Sequence, residues 1–195
     1  MDSFTIDQFL TENQEDAIFT LVTNPTFPWF FQNGTILHQD TKETNEYIHI
    51  KGSNPPQFTH TIDLENCQYI DLIAPILNTI VTEMNTNIQI IKMKFNLLYK
   101  SADSSFHFPH TDVDDLDENI YTSIYYVNDS DGDTYLFNQK GPKTSEELTI
   151  KTQITPSKGK LAVFDAVQFH SSSSPIKSDY RIVLNTVFKK DVKHA

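Results

Sequence analysis

Arginine occurs once in this chain of 195 residues, cysteine once and glycine five times. A single cysteine, Cys67, permits no intrachain disulfide and no cysteine-rich zinc site. No Gly-x-Ser-x-Gly elbow is present, so the serines Ser171 to Ser174 beside His170 carry no hydrolase signature. No apolar run approaches the roughly 18 residues of a membrane helix. The start, Met1-Asp2-Ser3-Phe4, lacks the basic and apolar regions of a secretory signal, and the expectation is a soluble, cytoplasmic protein. Basic residues are few overall. The formal net charge is −11, which disfavours a nucleic-acid binder, since phosphate binding relies on clustered Lys and Arg.

What is present supports one folded unit. Hydrophobic residues make up 38% and aromatic residues 12%, enough for a core and too much for a disordered chain. The length fits a single domain over 1–195, with supporting helices and strands in 1–87 and a β-rich core in 88–190. Residues 11–23 predict a short helix, with Thr11 and Gln14 at capping-box spacing and Pro25 beyond its end. Residues 63–84 predict a longer one, capped by Asp63 and kinked or divided at Pro75. Pro28-Trp29-Phe30-Phe31 predicts a packing strand, and 38–57 a long loop.

From Ile88 the pattern alternates. Met93, Phe95, Leu97 and Tyr99 share one face of a strand, with Lys92, Lys94 and Asn96 on the other. Further strands are predicted at 119–128, 134–138, 148–154, 160–165 and 181–189, separated by Asn128 to Gly132, Gly141-Pro142 and Pro156 to Gly159. The fold class is therefore mainly β with flanking helices, a sandwich, jelly roll or barrel. Asp129-Ser-Asp131-Gly-Asp133 lacks the later positions of a calcium loop and predicts a hairpin turn instead.

Four residues carry chemistry. On an extended strand His110 and Asp112 point to the same face and can share one metal. His170 follows an apolar strand and a turn at Asp165. Two imidazoles and a carboxylate on one face of an octahedral ion leave three positions open, the arrangement of non-haem Fe(II) oxygenases. Arg181, opening the last strand, offers a planar fork for a distal carboxylate.

In this order and spacing, Tyr99 to Phe188 resembles the Fe(II)/2-oxoglutarate-dependent dioxygenases, in particular the prolyl-4-hydroxylase-like branch. The matching pieces are Tyr99 ahead of His110-Thr-Asp112, Tyr126-Val-Asn128, and Asp131-Gly-Asp-Thr134-Tyr-Leu-Phe137. Pro156-Ser-Lys-Gly159, Phe164-Asp165, His170 and Arg181 complete the set. Phe27-Pro-Trp-Phe30 and Phe58-Thr-His60 are similar to phage-type members. The resemblance implies a double-stranded β-helix, a jelly-roll core with iron held by His110, Asp112 and His170. It implies 2-oxoglutarate as cosubstrate, its far carboxylate on Arg181 with help from Tyr99 and Thr134, and ascorbate as an accessory. The implied reaction uses O2 to hydroxylate a prolyl residue, a peptide or a small molecule, with release of succinate and carbon dioxide. A nucleic-acid demethylase of the same superfamily is one alternative, but such enzymes carry a second arginine where this chain has Val187. A non-catalytic cupin-like metal-binding module is the other.

Overall fold

The computed structural model describes residues 3–36, 52–103, 105–113, 119–141, 144 and 146–191. In chain order the elements are β1 (Phe4–Ile6), α1 (Glu12–Thr23), β2 (Phe30–Gln32), β3 (Gln57–Thr61), α2 (Ile70–Met84) and β4 (Ile88–Tyr99). They continue with β5 (Ile120–Tyr126), β6 (Thr134–Lys140), β7 (Ile150–Ile154), β8 (Leu161–Asp165), β9 (Gln168–Ser172) and β10 (Tyr180–Lys190).

Local chemistry sets the helix ends. The Gln14 side chain accepts from the Thr11 N–H at 2.9 Å, while the Gln14 N–H donates to the Thr11 hydroxyl at 3.4 Å, completing the capping box. The second helix begins at Ile70, not near Asp63. The Asp63 carboxylate instead accepts from the Glu65 and Asn66 N–H groups, so it closes a separate turn in which Cys67 still reaches the core edge. Pro75 lies inside α2 without dividing it. The hydrogen bond it forgoes is to the Asp71 carbonyl near the start of the helix.

Seven strands form one sheet in the order β1-β8-β5-β10-β4-β3-β2, and three form a second in the order β7-β6-β9. Every pairing within the two sheets is antiparallel. Side-chain alternation divides the large sheet into two faces. Met93, Phe95 and Leu97 of β4, Tyr121 and Tyr125 of β5, and Ile182 and Leu184 of β10 pack with Ile18, Val22, Ile73, Ile76 and Ile80 of the helices. The intervening residues Ile124, Tyr126, Ala162, Phe164 and Val183 face the small sheet and meet Leu136 and Ile154. His110, Asp112, Thr134, His170 and Arg181 lie on this inner side.

Two expectations are corrected here. Phe30 and Phe31 sit on the edge strand β2 and are 63% and 61% exposed; Phe27, buried against Trp29, His60 and Phe95, does the packing instead. The segment 127–133 is not a hairpin turn but the connection from β5 in the large sheet to β6 in the small one. Most of the predicted loop 38–57 lies outside the described residues; Gln57 already belongs to β3. The turn Pro156 to Gly159 is as expected. Gly159 has φ of +81°, a conformation that strains any residue with a Cβ, so glycine is favoured there. No helix among the described residues is long and apolar enough to cross a membrane.

Candidate active site

Segment 105–113 runs beside β9, and that pairing assembles three residues that could hold a metal ion. The His107 N–H donates to the Ser172 carbonyl at 2.7 Å, His110 and His170 exchange backbone bonds, and the Asp112 N–H donates to the Ala166 carbonyl at 2.9 Å. His110 and Asp112, two residues apart, are thereby delivered to His170. One ligand atom from each of the three lies within 4.8 Å of the others. The imidazole centroids are 4.4 Å apart, and His170 Nε2 stands 3.5 Å from Asp112 Oδ2.

Their orientation is fixed from behind. His110 Nδ1 meets the Phe108 carbonyl at 3.3 Å, and His170 Nδ1 meets the Gln168 carbonyl at 3.0 Å. A carbonyl only accepts, so both Nδ1 atoms carry a proton, and in the tautomer this fixes for a neutral ring, Nε2 presents the lone pair a metal requires. Asp112 Oδ2 accepts from the Thr122 hydroxyl at 2.5 Å, and Phe164 tilts against the His170 ring. Burial, then the neighbouring His170, pushes the pKa of His110 down to about 3. For Asp112 burial works upward, but His170, His110 and the Thr122 hydroxyl outweigh it and the carboxyl is lowered. Neutral imidazole beside ionised carboxylate is the state in which these groups bind a divalent ion.

Arg181 lies in the same cavity as the three ligands and is only 4% exposed. Its Nε donates to the Gly132 carbonyl at 2.8 Å and its Nη2 to the Thr134 hydroxyl at 2.9 Å. The Tyr126 hydroxyl donates to the same Thr134 oxygen at 2.8 Å, and the guanidinium carbon sits 5.7 Å from the Tyr126 ring centre. No carboxylate among the described residues comes within ion-pair distance of the guanidinium. Gly132 allows the close approach: a Cβ there would lie 2.6 Å from the Ser173 carbonyl oxygen and 3.0 Å from Arg181 Cδ. The connection around it is pinned to the start of β10. Asp131 accepts from the N–H groups of Ile176, Lys177 and Ser178, and Asn128 bonds the Ile182 N–H and the Tyr180 carbonyl.

The structure brings His110, Asp112, His170, Thr134 and Arg181 together, but not Tyr99. Tyr99 is 59% exposed and lies with Leu97 and Ile182 on the opposite face of the sheet, edge-on to Phe58. Strand parity is the reason: Lys94, Asn96 and Leu98 of β4 line the cavity, so the odd-numbered residues turn away. The tyrosine beside Arg181 is Tyr126. Tyr126 stands in the sequence motif without a role there, and Thr122 and Asn185 carry no motif; the alternation of β4 groups Lys94 and Asn96 on one face, but only register with β5 and β10 shows that this face is the inner one. Burial and then the charge of Lys92 draw the Lys94 pKa down to about 8, against the pull of Asp112. His107 is spent structurally, its ring nitrogens 3.0 and 3.1 Å from the Ser172 and Ser174 hydroxyls, while the Ser171 hydroxyl donates to its carbonyl. His60 meets the Pro28 carbonyl at 3.0 Å. His38, His49 and His194 lie outside the described residues, as does 114–118, most of the acidic run that follows Asp112.

No protein-family model matches the sequence, and neither does any curated protein. Solved structures do match. The viral collagen prolyl hydroxylase of Paramecium Bursaria Chlorella virus-1, in its 2-oxoglutarate complex, aligns with TM-score 0.55 at 15% identity over 97% of each chain. The prolyl hydroxylase of Trichoplax adhaerens, with a peptide of the hypoxia inducible factor oxygen degradation domain, aligns at 0.63 and 16% identity, over 96% of this chain and 83% of that one. The fold is that of the 2-oxoglutarate/Fe(II) oxygenases. It is their double-stranded β-helix, and in that frame the large and small sheets are the two walls of the jelly roll. The epimerase SnoN, in complex with Fe3+, α-ketoglutarate and nogalamycin RO, shares it at TM-score 0.63 and 11% identity, over 96% of this chain and 78% of that one.

Proposed function

We propose that the protein is an Fe(II)- and 2-oxoglutarate-dependent dioxygenase, one domain with its core in 88–190, that hydroxylates a prolyl residue, a peptide or a small molecule and releases succinate and carbon dioxide. One observation carries this reading: a buried guanidinium, which feels the charge of Asp133 but has no carboxylate at ion-pair distance among the described residues, shares a cavity with a His/Asp/His group that could hold a metal. A buried cation is costly unless an anion pairs with it. A diacid that chelates a metal at one end and meets Arg181 at the other would satisfy both halves of the cavity.

The residues fit the cofactor. His110 and His170 would offer Nε2 and Asp112 a carboxylate oxygen, a donor set suited to Fe(II) with positions left for small molecules. Bound together, iron and 2-oxoglutarate supply the O2-dependent oxidising power. The chain's own residues hold and orient. Thr122 fixes the Asp112 carboxylate, the Phe108 and Gln168 carbonyls fix the two imidazoles, and Arg181 with Thr134 forms the cradle for the distal carboxylate, with Tyr126 behind them. Neighbours with a bound peptide and with a bound small molecule support both substrate types.

The test is an anaerobic titration with Fe(II) and 2-oxoglutarate, which should give the weak visible charge-transfer band of the chelate. A protein that gives no band, or a His110→Ala variant that keeps it, would remove the reading.

A further inference from the structure

Beyond the metal ligands and the Arg181 cradle, the cavity holds polar groups that neither uses. We propose that Lys94, Asn96 and Asn185 form the subsite for the primary substrate, and that this substrate is a free amino acid. Its carboxylate would pair with Lys94 and its amino group would donate to the two asparagine amides. The inference rests on the dioxygenase reading above and narrows its substrate.

Register places the three residues together. In the β10–β4 pairing Arg181 faces Leu98, Val183 faces Asn96, and Asn185 faces Lys94. All six line the cavity. At a rise of about 3.3 Å per residue, the Asn185–Lys94 rung lies about 13 Å along the strands from Arg181. A five-carbon diacid anchored on Arg181 is shorter than that, so the rung stays clear of it. Ile124 of β5 stands beside Asn185 on the same inner face and supplies an apolar wall.

The two amide oxygens are unsatisfied among the described residues. The Asn96 and Asn185 side-chain oxygens are buried and receive no hydrogen bond among the described residues. Native folds rarely leave such atoms unpaired, and a missing ligand or water is the usual reason. Other polar residues of the cavity are committed. The Gln57 amide nitrogen serves the Gln32 side chain and the Gly34 and Thr35 carbonyls, and Thr134 serves Arg181 and Tyr126. No carboxylate among the described residues lies within ion-pair distance of Lys94.

Charge bookkeeping points to an anion. In the loaded site Fe(II) balances Asp112 and the chelating carboxylate, and Arg181 balances the distal one. Asp112, whose charge Lys94 feels, is shared with the metal, so among the described residues the Lys94 charge is then left without a counter-ion at ion-pair distance. A carboxylate supplies it, and the amino group of the same molecule supplies donors for the amide oxygens. An internal stretch of polypeptide backbone offers N–H groups but no carboxylate.

The test is calorimetric titration of anaerobic protein loaded with Fe(II) and 2-oxoglutarate, the charge-transfer band confirming the load. The probes are the proteinogenic free L-amino acids, their carboxamides, and a proline-containing peptide capped at both ends. At least one free amino acid should bind, and its carboxamide should bind at least about tenfold more weakly, as loss of a charge-assisted contact requires. Lys94→Met should abolish that difference and Lys94→Arg should keep it; Asn185→Ala should weaken the free acid in protein whose melting is unchanged. If Lys94→Met does not fold, Lys94→Arg and Asn185→Ala carry the comparison. Binding of the capped peptide alone, or of no probe, with the band intact, overturns the inference and leaves the dioxygenase reading standing. Absence of the band removes both.

Discussion

His110 and His170 exchange both backbone hydrogen bonds, His110 N–H to the His170 carbonyl at 3.0 Å and His170 N–H to the His110 carbonyl at 2.9 Å. The ligand group is therefore positioned by main chain, independently of the rings. His110→Ala should leave the fold and its melting temperature close to those of the parent while Fe(II) binding is lost. Circular dichroism melting and Fe(II) titration check the two halves; loss of folding along with the metal would mean that the ring itself holds the segment.

Arg181→Ala should raise the 2-oxoglutarate concentration needed for the charge-transfer band far more than it weakens iron binding. It also strips donors from the Gly132 carbonyl and the Thr134 hydroxyl, a stability loss of about 1–3 kcal/mol. Equal effects on metal and cosubstrate would assign Arg181 a merely structural part.

Thr122→Val keeps the shape of the side chain and deletes the hydrogen bond to Asp112. Supporting residues of this kind are worth roughly tenfold to a hundredfold in metal affinity, so the Fe(II) dissociation constant should rise by that order. Direct Fe(II) titration reads it, and an unchanged constant would show that Asp112 needs no such support.

Gly132→Ala should be among the more damaging single-methyl additions, because the new Cβ meets the Ser173 carbonyl oxygen at 2.6 Å and Arg181 Cδ at 3.0 Å. Overpacking of that kind costs about 1–3 kcal/mol, and the 2-oxoglutarate requirement should rise with it as Arg181 is displaced. Melting and band titration on the same protein would separate a stability effect from a cosubstrate effect.

Acid should unfold the metal-free protein early. Burial, and then the charges of Arg181 and His110, hold His107 down to about 3 from an ordinary 6.5; burial does the same to His110. Between those values the unfolded chain takes up protons that the fold refuses. The stability is thus fully present above 6.5 and lost as pH falls toward 3. Asp131, held low by the Ile176 to Ser178 amides against the opposing effect of burial, acts in the same direction at still lower pH. The melting temperature should drop steadily from about pH 7 to about pH 4, and His107→Gln should flatten the slope. A pH-independent melting temperature would show that the imidazoles protonate inside the fold.

What could be read in the sequence was whatever short-range rules govern. The capping box of α1, the alternation of β4 and the turn at Gly159 depend on neighbours a few residues apart, and each stands where the pattern places it. Asp63 misled because a carboxylate caps a turn as readily as a helix. Strand β1 is three residues long and exists through its pairing with β8, more than 150 positions later, which no local pattern encodes. Tyr99 illustrates the same limit within the site. A tyrosine ahead of His110 resembles a family motif, though two residues further off than usual, while its place in the alternation of β4 puts it on the far side from Lys94 and Asn96. Parity along one strand outweighs distance along the chain, and it is what made Tyr126 the tyrosine next to Arg181.

The Asp112 carboxylate reaches back to Thr122 on the large sheet, while its metal-ligating neighbour His170 belongs to the small one. An ion seated among these residues would therefore act as a rivet through both walls, closing a loop of roughly 60 residues between His110 and His170. Unlike a disulfide, such a fastening can be withdrawn by a chelator and restored by adding metal. Resistance of the segment 105–113 to proteases should accordingly come and go with iron supply, which would tie the lifetime of the protein to the proposed metal.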